Sequence, residues 1–372
     1  MKRLFLSIIL LFVVKFCAVA QNEIVYRMEK SFDRMFYNTN NPVIDLSVLN
    51  TDNYEKYADT IICRVTSDDD RHIYRFKQKF SVSPADSALV SFSFPVMPGF
   101  YRVYLEREDT VIAAANMGYE PELIASEVDQ NFSYDDYWSG IVQELKATPV
   151  VAEVLKIKKT GAKLRNIYSV KLKSIGGGII EGYIAVPKRK GVYKTVITCT
   201  DKNESASMPD GNIRGDIIDF IVSPRNGWLQ KDYYYRTLCI DLVRAIDYVY
   251  SRDDVDLKNI FLQGRGRGGA FVVAACALDT RMAGAAVYAP GLTNETASNE
   301  LRPYDIKNLS GRVKCPIVMG VGLEDNVCTP RQNFEIYNAI PSAKQYYIFV
   351  EGHNPPQLWS EIVDNFFIKY QR

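Results

Sequence analysis

The stretch Phe261-Leu-Gln-Gly-Arg-Gly-Arg-Gly-Gly-Ala270 joins an apolar strand to a helix of small residues through a turn that contains four glycines. The strand is predicted over residues 259–262 and the helix over residues 270–277. A buried strand that enters a helix through a short glycine turn is typical of sheets with helices packed on their faces. This stretch therefore favours an α/β fold.

The same pattern continues on both sides of the stretch and defines the fold class. Strands and helices alternate from residue 195 to residue 368, which predicts a doubly wound, mostly parallel sheet. An amphipathic helix is predicted over 134–145, and two strands are predicted around Gly176 within residues 165–187. The further predicted strands are 195–199, 216–222, 284–288, 316–321 and 345–350, and the further helices are 234–251, 330–339 and 357–368.

The residues before this region have a different pattern. Short runs such as Pro42-Val-Ile-Asp-Leu-Ser-Val48 alternate apolar and polar side chains, and three more follow at 59–65, 88–94 and 99–105. Several short strands separated by turn residues, without a helical period, indicate a small antiparallel β-sandwich. We therefore predict a sandwich domain over 21–125, of the immunoglobulin-like kind, and an α/β domain over 126–372.

The first twenty residues have the pattern of a secretory signal peptide. Lys2 and Arg3 precede an apolar run over 4–14, and Ala18-Val-Ala20 provides small residues for cleavage after Ala20. The apolar run is too short to span a bilayer, and no second one follows. We expect export to the periplasm or the extracellular space, without a membrane span.

Charge and cysteine content narrow the possible partners. Removal of Lys2, Arg3 and Lys15 would lower the formal charge from +1 to about −2, and no basic patch remains, so no nucleic-acid partner is predicted. The six cysteines after residue 20 lack metal-ligand spacing and lie in apolar patterns, which indicates buried thiols. We predict neither a metal nor a cofactor. Gly264-x-Gly-x-x-Gly269 also fits a dinucleotide fingerprint, but no carboxylate follows the next strand to bind a ribose.

The glycine turn also resembles a catalytic motif that lacks its reactive residue. In the motif G-x-S-x-G the central serine lies on a sharp turn between a strand and a helix. Here Gly264 and Gly268 hold the flanking positions and Gly266 holds the central one. Asp325 and His353 follow later strands, in the chain order expected of the acid and the base of a catalytic triad. The pattern therefore predicts two members of a triad and a vacant nucleophile position.

Over residues 130–372 the chain resembles the acetyl xylan esterase and cephalosporin-C deacetylase family of α/β-hydrolases, carbohydrate esterase family seven. The family's sugar-ester substrates suggest acetylated plant-type polysaccharide or oligosaccharide as a partner. The segments that carry the resemblance are Tyr134-Asp-Asp-Tyr-Trp, Gly182-Tyr-Ile-Ala-Val-Pro, Asp232-Tyr-Tyr-Tyr-Arg, Asp241-Leu-Val-Arg-Ala and Cys315-Pro-Ile-Val-Met-Gly-Val-Gly-Leu-Glu-Asp-Asn-Val-Cys-Thr-Pro330.

The resemblance also shows where this chain departs from the family. Members have Gly-Gly-Ser-Gln-Gly-Gly at the elbow, and here Gly266 replaces the serine and Arg267 the glutamine. Members have a His-Gly-Tyr loop that supplies an oxyanion-hole N–H, and here the matching residues are Thr200-Asp201-Lys202. The resemblance thus implies Asp325 and His353 as residual acid and base, with Lys202 and Arg267 at the oxyanion-hole positions. Asp201, if it points into the site, would place a negative charge beside a developing oxyanion.

Three functions remain open from the sequence. The first is an inactive esterase homologue that binds glycan or a partner, with Trp228 as the candidate for stacking against sugar. The second is an active carbohydrate O-deacetylase that uses Ser223, Thr200 or Cys199 as nucleophile, or a water molecule activated by His353. The third is a structural or assembly module that does not bind glycan.

Overall fold

The computed structural model describes residues 24–28, 34–36, 39–126, 129, 131–158, 160–201, 204–223, 225, 231–291 and 303–372. Eight strands come first and form two packed sheets. These strands are β1 (Ile24–Met28), β2 (Arg34–Phe36), β3 (Val43–Asn50), β4 (Tyr57–Ser67), β5 (His72–Val82), β6 (Ser87–Ser93), β7 (Gly99–Arg107) and β8 (Thr110–Tyr119).

The two sheets enclose their own hydrophobic core. One sheet has the strand order β1-β3-β6 and the other the order β2-β8-β7-β4-β5. Ile44, Leu46 and Val48 alternate along β3 and are fully buried, as the apolar–polar alternation of that strand predicts. In the part of the sandwich that the structure describes, the strand pairs are antiparallel except β2 with β8, which is parallel. The sandwich is therefore antiparallel apart from this short pair.

Within the described residues, nine further strands form one large mixed sheet. Its order is β17-β16-β15-β14-β12-β13-β11-β10-β9. The pairs from β17 to β13 are parallel and those from β13 to β9 are antiparallel, so the predicted mostly parallel sheet is confirmed. The strands are β9 (Ala152–Lys156), β10 (Arg165–Lys173), β11 (Ile179–Pro187), β12 (Tyr193–Cys199), β13 (Ile217–Val222), β14 (Val255–Arg265), β15 (Gly284–Tyr288), β16 (Ile317–Gly322) and β17 (Lys344–Phe349).

Helices connect these strands and cover parts of the sheet. Helix α3 is buried along most of its length, because its small residues allow close approach to β14 and β15. It begins at Gly266, four residues before the predicted start. The helices are α1 (Tyr134–Ala147), α2 (Lys231–Tyr250), α3 (Gly266–Leu278), α4 (Ile306–Ser310), α5 (Pro330–Ala339) and α6 (Leu358–Tyr370).

The carboxyl ends of the parallel strands define one edge of the sheet, where doubly wound folds place their ligand sites. Strand β12 ends just before Thr200, β14 ends just before Gly266, and β16 ends shortly before Asp325. His353 follows β17 on the same edge. These four segments therefore meet at one edge of the sheet, near β12. Strand β12 lies between β13 and β14, so successive strands are added to the sheet on opposite sides of it.

The sandwich packs directly on helix α5. The rings of Phe100 and Phe334 lie 5.4 Å apart, and both are buried. The Asp68 carboxylate, from the loop between β4 and β5, accepts the Arg331 N–H in the first turn of α5 at 2.7 Å. Because the first N–H groups of a helix lack partners within the helix, this contact caps α5 from outside the α/β part.

All six cysteines in the described part of the chain are buried and none forms a disulfide. The interpretation of these residues as buried thiols is therefore confirmed. Among the described residues, no helix combines the length and the apolar character that crossing a bilayer requires.

Candidate functional site

The turn between β14 and α3 retains the backbone geometry of a nucleophile elbow. Gly266 is the first residue of α3 and has φ +53°, a conformation that is strained for residues with a side chain. A Cβ atom on Gly268 would lie 2.5 Å from the Cys199 carbonyl oxygen, so the helix approaches β12 too closely for any larger residue. The sharp turn is therefore preserved at a position that carries no side chain.

Asp325 and His353 form the hydrogen-bonded pair that the sequence predicts. The Asp325 side chain is fully buried, and one carboxylate oxygen accepts the Val327 and Cys328 N–H groups at 2.8 and 2.9 Å. Its other oxygen lies 3.0 Å from His353 Nδ1. These bonds fix the orientation of the imidazole and direct Nε2 towards the elbow.

Asp201 occupies the space that a nucleophile side chain would fill. Its Oδ2 lies 3.1 Å from His353 Nε2, and its Oδ1 accepts the Arg267 N–H at 2.9 Å. A Cβ atom on Gly266 would lie 2.5 Å from that same Oδ2. The absence of a side chain at position 266 is therefore what admits the carboxylate. Asp201, His353 and Asp325 form a continuous chain of carboxylate, imidazole and carboxylate.

This arrangement stabilises the protonated imidazole. Hydrogen bonds that the ring donates to Asp201 and then to Asp325 raise the pKa of His353 to about 11, with a smaller contribution from Cys328 and partial opposition from burial. A histidine in this environment stays an imidazolium at neutral pH, since a nearby carboxylate favours the charged form. It cannot accept a proton from a nucleophile or from water in that state.

A second layer of charged groups surrounds Asp201. The Arg265 guanidinium bonds to the Glu204 carboxylate and to the Asn354 side chain, and its Nε lies 4.0 Å from Asp201 Oδ2. The Glu204 N–H donates to the Asp201 carbonyl oxygen at 3.1 Å. Together these contacts hold the β12 loop against the elbow.

The structure brings together Gly266, Asp325 and His353, as the sequence predicts. Arg267 contributes its backbone N–H to the site, where it already bonds to Asp201, and its side chain is buried. Lys202 and Trp228 lie outside the described residues. The sequence pointed to Asp201 only as a source of repulsion towards an oxyanion, whereas in the structure it pairs with His353. The sequence feature that could have indicated this pairing is the acidic residue itself, which stands in the loop that matches the family's His-Gly-Tyr.

The three alternative nucleophiles make their hydrogen bonds elsewhere. The Thr200 hydroxyl donates to the Glu204 carbonyl oxygen at 2.9 Å, and the Ser223 hydroxyl accepts the Ala206 N–H. Burial raises the pKa of the Cys199 thiol to about 12, so a thiolate is disfavoured. Among the residues that the structure describes, none of the three is a hydrogen-bond partner of His353.

Comparison with known proteins agrees with this architecture. The family model for acetyl xylan esterase (AXE1) matches residues 199–297 and 292–366, which include the elbow, the β12 loop, Asp325 and His353. The acetyl esterase Axe7A of Xylanibacter ruminicola is 25% identical over 305 residues, a match that covers 68% of this chain and 70% of that protein. Over residues 199–366 the chain is therefore similar to acetyl xylan esterases.

Solved structures of acetyl xylan esterases have the same fold. The enzyme from Paenibacillus sp. R4 superimposes with a TM-score of 0.62 at 20% identity, covering 67% of this chain and 98% of that one. Acetyl xylan esterase 1 from Thermoanaerobacterium sp. JW/SL YS485 gives a TM-score of 0.60 at 18% identity, covering 67% and 96%. At these identities the likeness concerns the fold, and the large sheet with its helices is that of an α/β-hydrolase.

Proposed function

We propose that this chain is an exported, esterase-inactive member of the acetyl xylan esterase-like family that binds carbohydrate. The observation that carries the inactivity is the Asp201 carboxylate, which bonds to both His353 and the Arg267 N–H. This carboxylate occupies the space that the side chain of a serine at position 266 would need.

Three requirements of acyl transfer fail together at this site. Gly266 offers no nucleophile, and loss of the serine from a comparable triad costs about 2 × 10⁶ in kcat. The base is protonated, because its two carboxylate neighbours raise the pKa of His353 to about 11. The elbow N–H that would stabilise an oxyanion is bonded to Asp201. Since these groups act as a unit, repair of one alone would restore little.

The same geometry argues against water activated by His353. A general base has to be unprotonated at the working pH and within hydrogen-bond reach of the proton that it removes. Here Nε2 is bonded to Asp201 Oδ2 at 3.1 Å, and Nδ1 is bonded to Asp325. No free ring nitrogen is left to bind a water molecule in this arrangement.

The carbohydrate and export parts of the proposal have separate support. Proteins similar to this chain are named as an acetyl esterase and as acetyl xylan esterases, and the latter name specifies a polysaccharide, xylan. The first twenty residues have the charged, apolar and small-residue regions of a signal peptide. Export would give the protein access to polysaccharide outside the cytoplasm.

An esterase assay tests the inactivity. We expect the protein purified from residue 21 onwards to release no acetate above buffer from p-nitrophenyl acetate or acetylated xylan at pH 7–9. His353→Ala serves as the matched control, since it removes the only histidine at the site. Turnover in the wild type that disappears in His353→Ala would refute the proposal and favour an active deacetylase.

A further inference from the structure

The antiparallel end of the large sheet exposes one face. Cross-strand pairing places Leu155, Ser169, Tyr183 and Ile221 side by side in a row that runs from β9 to β13. The opposite face of the same strands is buried in the core through residues such as Ile180. The row is therefore part of an outer surface.

A second row of this face is charged. Lys171 pairs with Glu153 of β9 on one side and with Glu181 of β11 on the other. Its Nζ lies 3.0 Å from Glu181 Oε1, and both side chains are more than half exposed. The two carboxylates and one ammonium leave a single net negative charge on this row, so this surface does not select for a strongly charged ligand.

The β10 and β11 members of the two rows, Ser169, Tyr183, Lys171 and Glu181, line a groove of about 530 Å³. Ser205, Ala206 and Ser223 line the opposite side, where the loop after β12 meets the end of β13. Ser205 is exposed and Tyr183 is half-buried. The groove thus combines one aromatic ring, aliphatic side chains, three serine hydroxyls, one ammonium, one carboxylate and the Arg225 guanidinium, which is paired with Asp241.

The Tyr183 side chain lies in this groove. Within the described residues, no group hydrogen-bonds to the Tyr183 hydroxyl, and the Tyr183 ring has no aromatic neighbour. A partly exposed aromatic ring with a polar tip provides an apolar face and a hydrogen-bond donor at the same place. This combination suits a sugar ring, whose faces are apolar and whose edge carries hydroxyls.

We infer that this groove binds a neutral oligosaccharide chain, with one sugar stacked on Tyr183 and its hydroxyls bonded to Lys171 and Glu181. The inference rests on the proposed carbohydrate binding and assigns it to a groove whose lining does not include Asp201, His353 or Asp325. Lys171 and Glu181 offer charged donors and acceptors, which make stronger hydrogen bonds than neutral groups. The length of the strand rows matches an extended chain better than a single sugar.

Titration calorimetry with xylohexaose tests the inference. We expect Tyr183→Ala to weaken binding about tenfold or more, and Tyr183→Phe to weaken it about threefold through loss of one hydrogen bond. Lys171→Ala combined with Glu181→Ala should also weaken binding while keeping the net charge. Tyr54→Ala is the matched control, because Tyr54 is 91% exposed and lies in the sandwich. Its affinity should equal that of the wild type.

The possible failures are distinguishable. Xylohexaose binding that is unchanged in Tyr183→Ala would overturn the assignment to this groove and leave the proposed carbohydrate binding intact. Absence of binding to xylohexaose and to its acetylated form would overturn both, without affecting the esterase result. A change from dimer to monomer in Tyr183→Ala, seen by sedimentation, would identify the face as an interface between two copies and overturn the inference.

Discussion

A carboxylate from the β12 loop stands where the elbow geometry would place a hydroxyl. The replacement of the hydroxyl by this carboxylate involves two positions, because the Asp201 side chain fits only when position 266 has no Cβ. It also changes the chemistry of the imidazole between them. A serine hydroxyl would leave His353 neutral and basic, whereas a second carboxylate holds it as a cation.

Restoration of the serine alone should fail for a steric reason. In Gly266→Ser the new Cβ would lie 2.5 Å from Asp201 Oδ2, so either the carboxylate or the turn must move. We expect no measurable p-nitrophenyl acetate hydrolysis and at most slow labelling by a fluorophosphonate probe. Adding Thr200→His and Asp201→Gly should raise both signals more than additively, since these groups would act as one unit.

Thr200→His with Asp201→Gly, but without the serine, is the control for that series, and it should remain unlabelled. Ordinary esterase rates in Gly266→Ser by itself, with kcat of roughly 1–10³ s⁻¹, would mean that Asp201 does not block the site.

The charge of His353 should appear in the pH dependence of stability. Because its folded pKa of about 11 exceeds the ordinary value of 6.5, the stabilisation is complete below about pH 6.5 and is lost as pH rises through 11. This group alone should lower the free energy of unfolding by up to about 1.4 kcal/mol per pH unit in that range. In Asp201→Asn the fall should be smaller, as measured by urea unfolding at several pH values.

Imidazole nitrogen shifts provide a direct readout, since the chain has only two histidines, His72 and His353. An imidazole of His353 that is neutral at pH 8 in the wild type would contradict this electrostatic account.

Among the elements, helix α5 connects the sandwich with the candidate site. Its N-terminus follows the loop that carries Asp325, and Asp68 of the sandwich accepts an N–H from its first turn. Arg102 of β7 donates to the Asp325 carbonyl oxygen at 3.4 Å. The position of the acid loop therefore depends on contacts from both parts of the chain.

Two substitutions at Asp68 separate its charge from its hydrogen bond. Burial raises the pKa of Asp68 to about 6, against the opposing effect of its bonds to Arg331 and Thr329. Since its folded pKa lies above the ordinary value, its charge costs stability as pH rises from about 4 to 6. We expect Asp68→Asn to match the wild type at pH 4 and to be about 1–3 kcal/mol more stable at pH 8 by urea unfolding.

Asp68→Ala should be less stable than Asp68→Asn at both pH values, because the Arg331 N–H then loses its acceptor, at a cost of about 1–3 kcal/mol. Equal stability of the two variants would show that the capping bond contributes nothing.

At the scale of the whole molecule, the hydrophobic core of the sandwich is separate from that of the α/β part. Residues such as Leu46, Val65 and Val103 form a cluster of their own, whereas Phe100 and Ile124 pack into the larger core. We predict that residues 21–125 fold alone, with a β-rich far-UV spectrum and a cooperative thermal transition. A spectrum dominated by disorder would place the boundary elsewhere.

Sequence reasoning identified the elements whose hydrophobic pattern is strong. The buried strands β12, β14 and β15 and the helices α3 and α5 match their predicted positions within a few residues. The weakly patterned elements were missed. β9 is exposed at all five residues and lies at the sheet edge, and β5 carries exposed basic side chains on an edge strand. Neither has the periodic apolar residues that reveal a strand in a sequence.

By itself, the sequence determined the order of strand, glycine turn, acid and base, and the missing hydroxyl at Gly266, since these follow from residue identity and local period. Only the tertiary structure decided where the Asp201 side chain goes. That direction depends on the ends of β12, β14, β16 and β17 meeting at one edge, and on a space of one side chain between Gly266 and His353. Contacts between residues that are distant in sequence leave no local pattern, because the residues that surround Asp201 in space lie far from it along the chain.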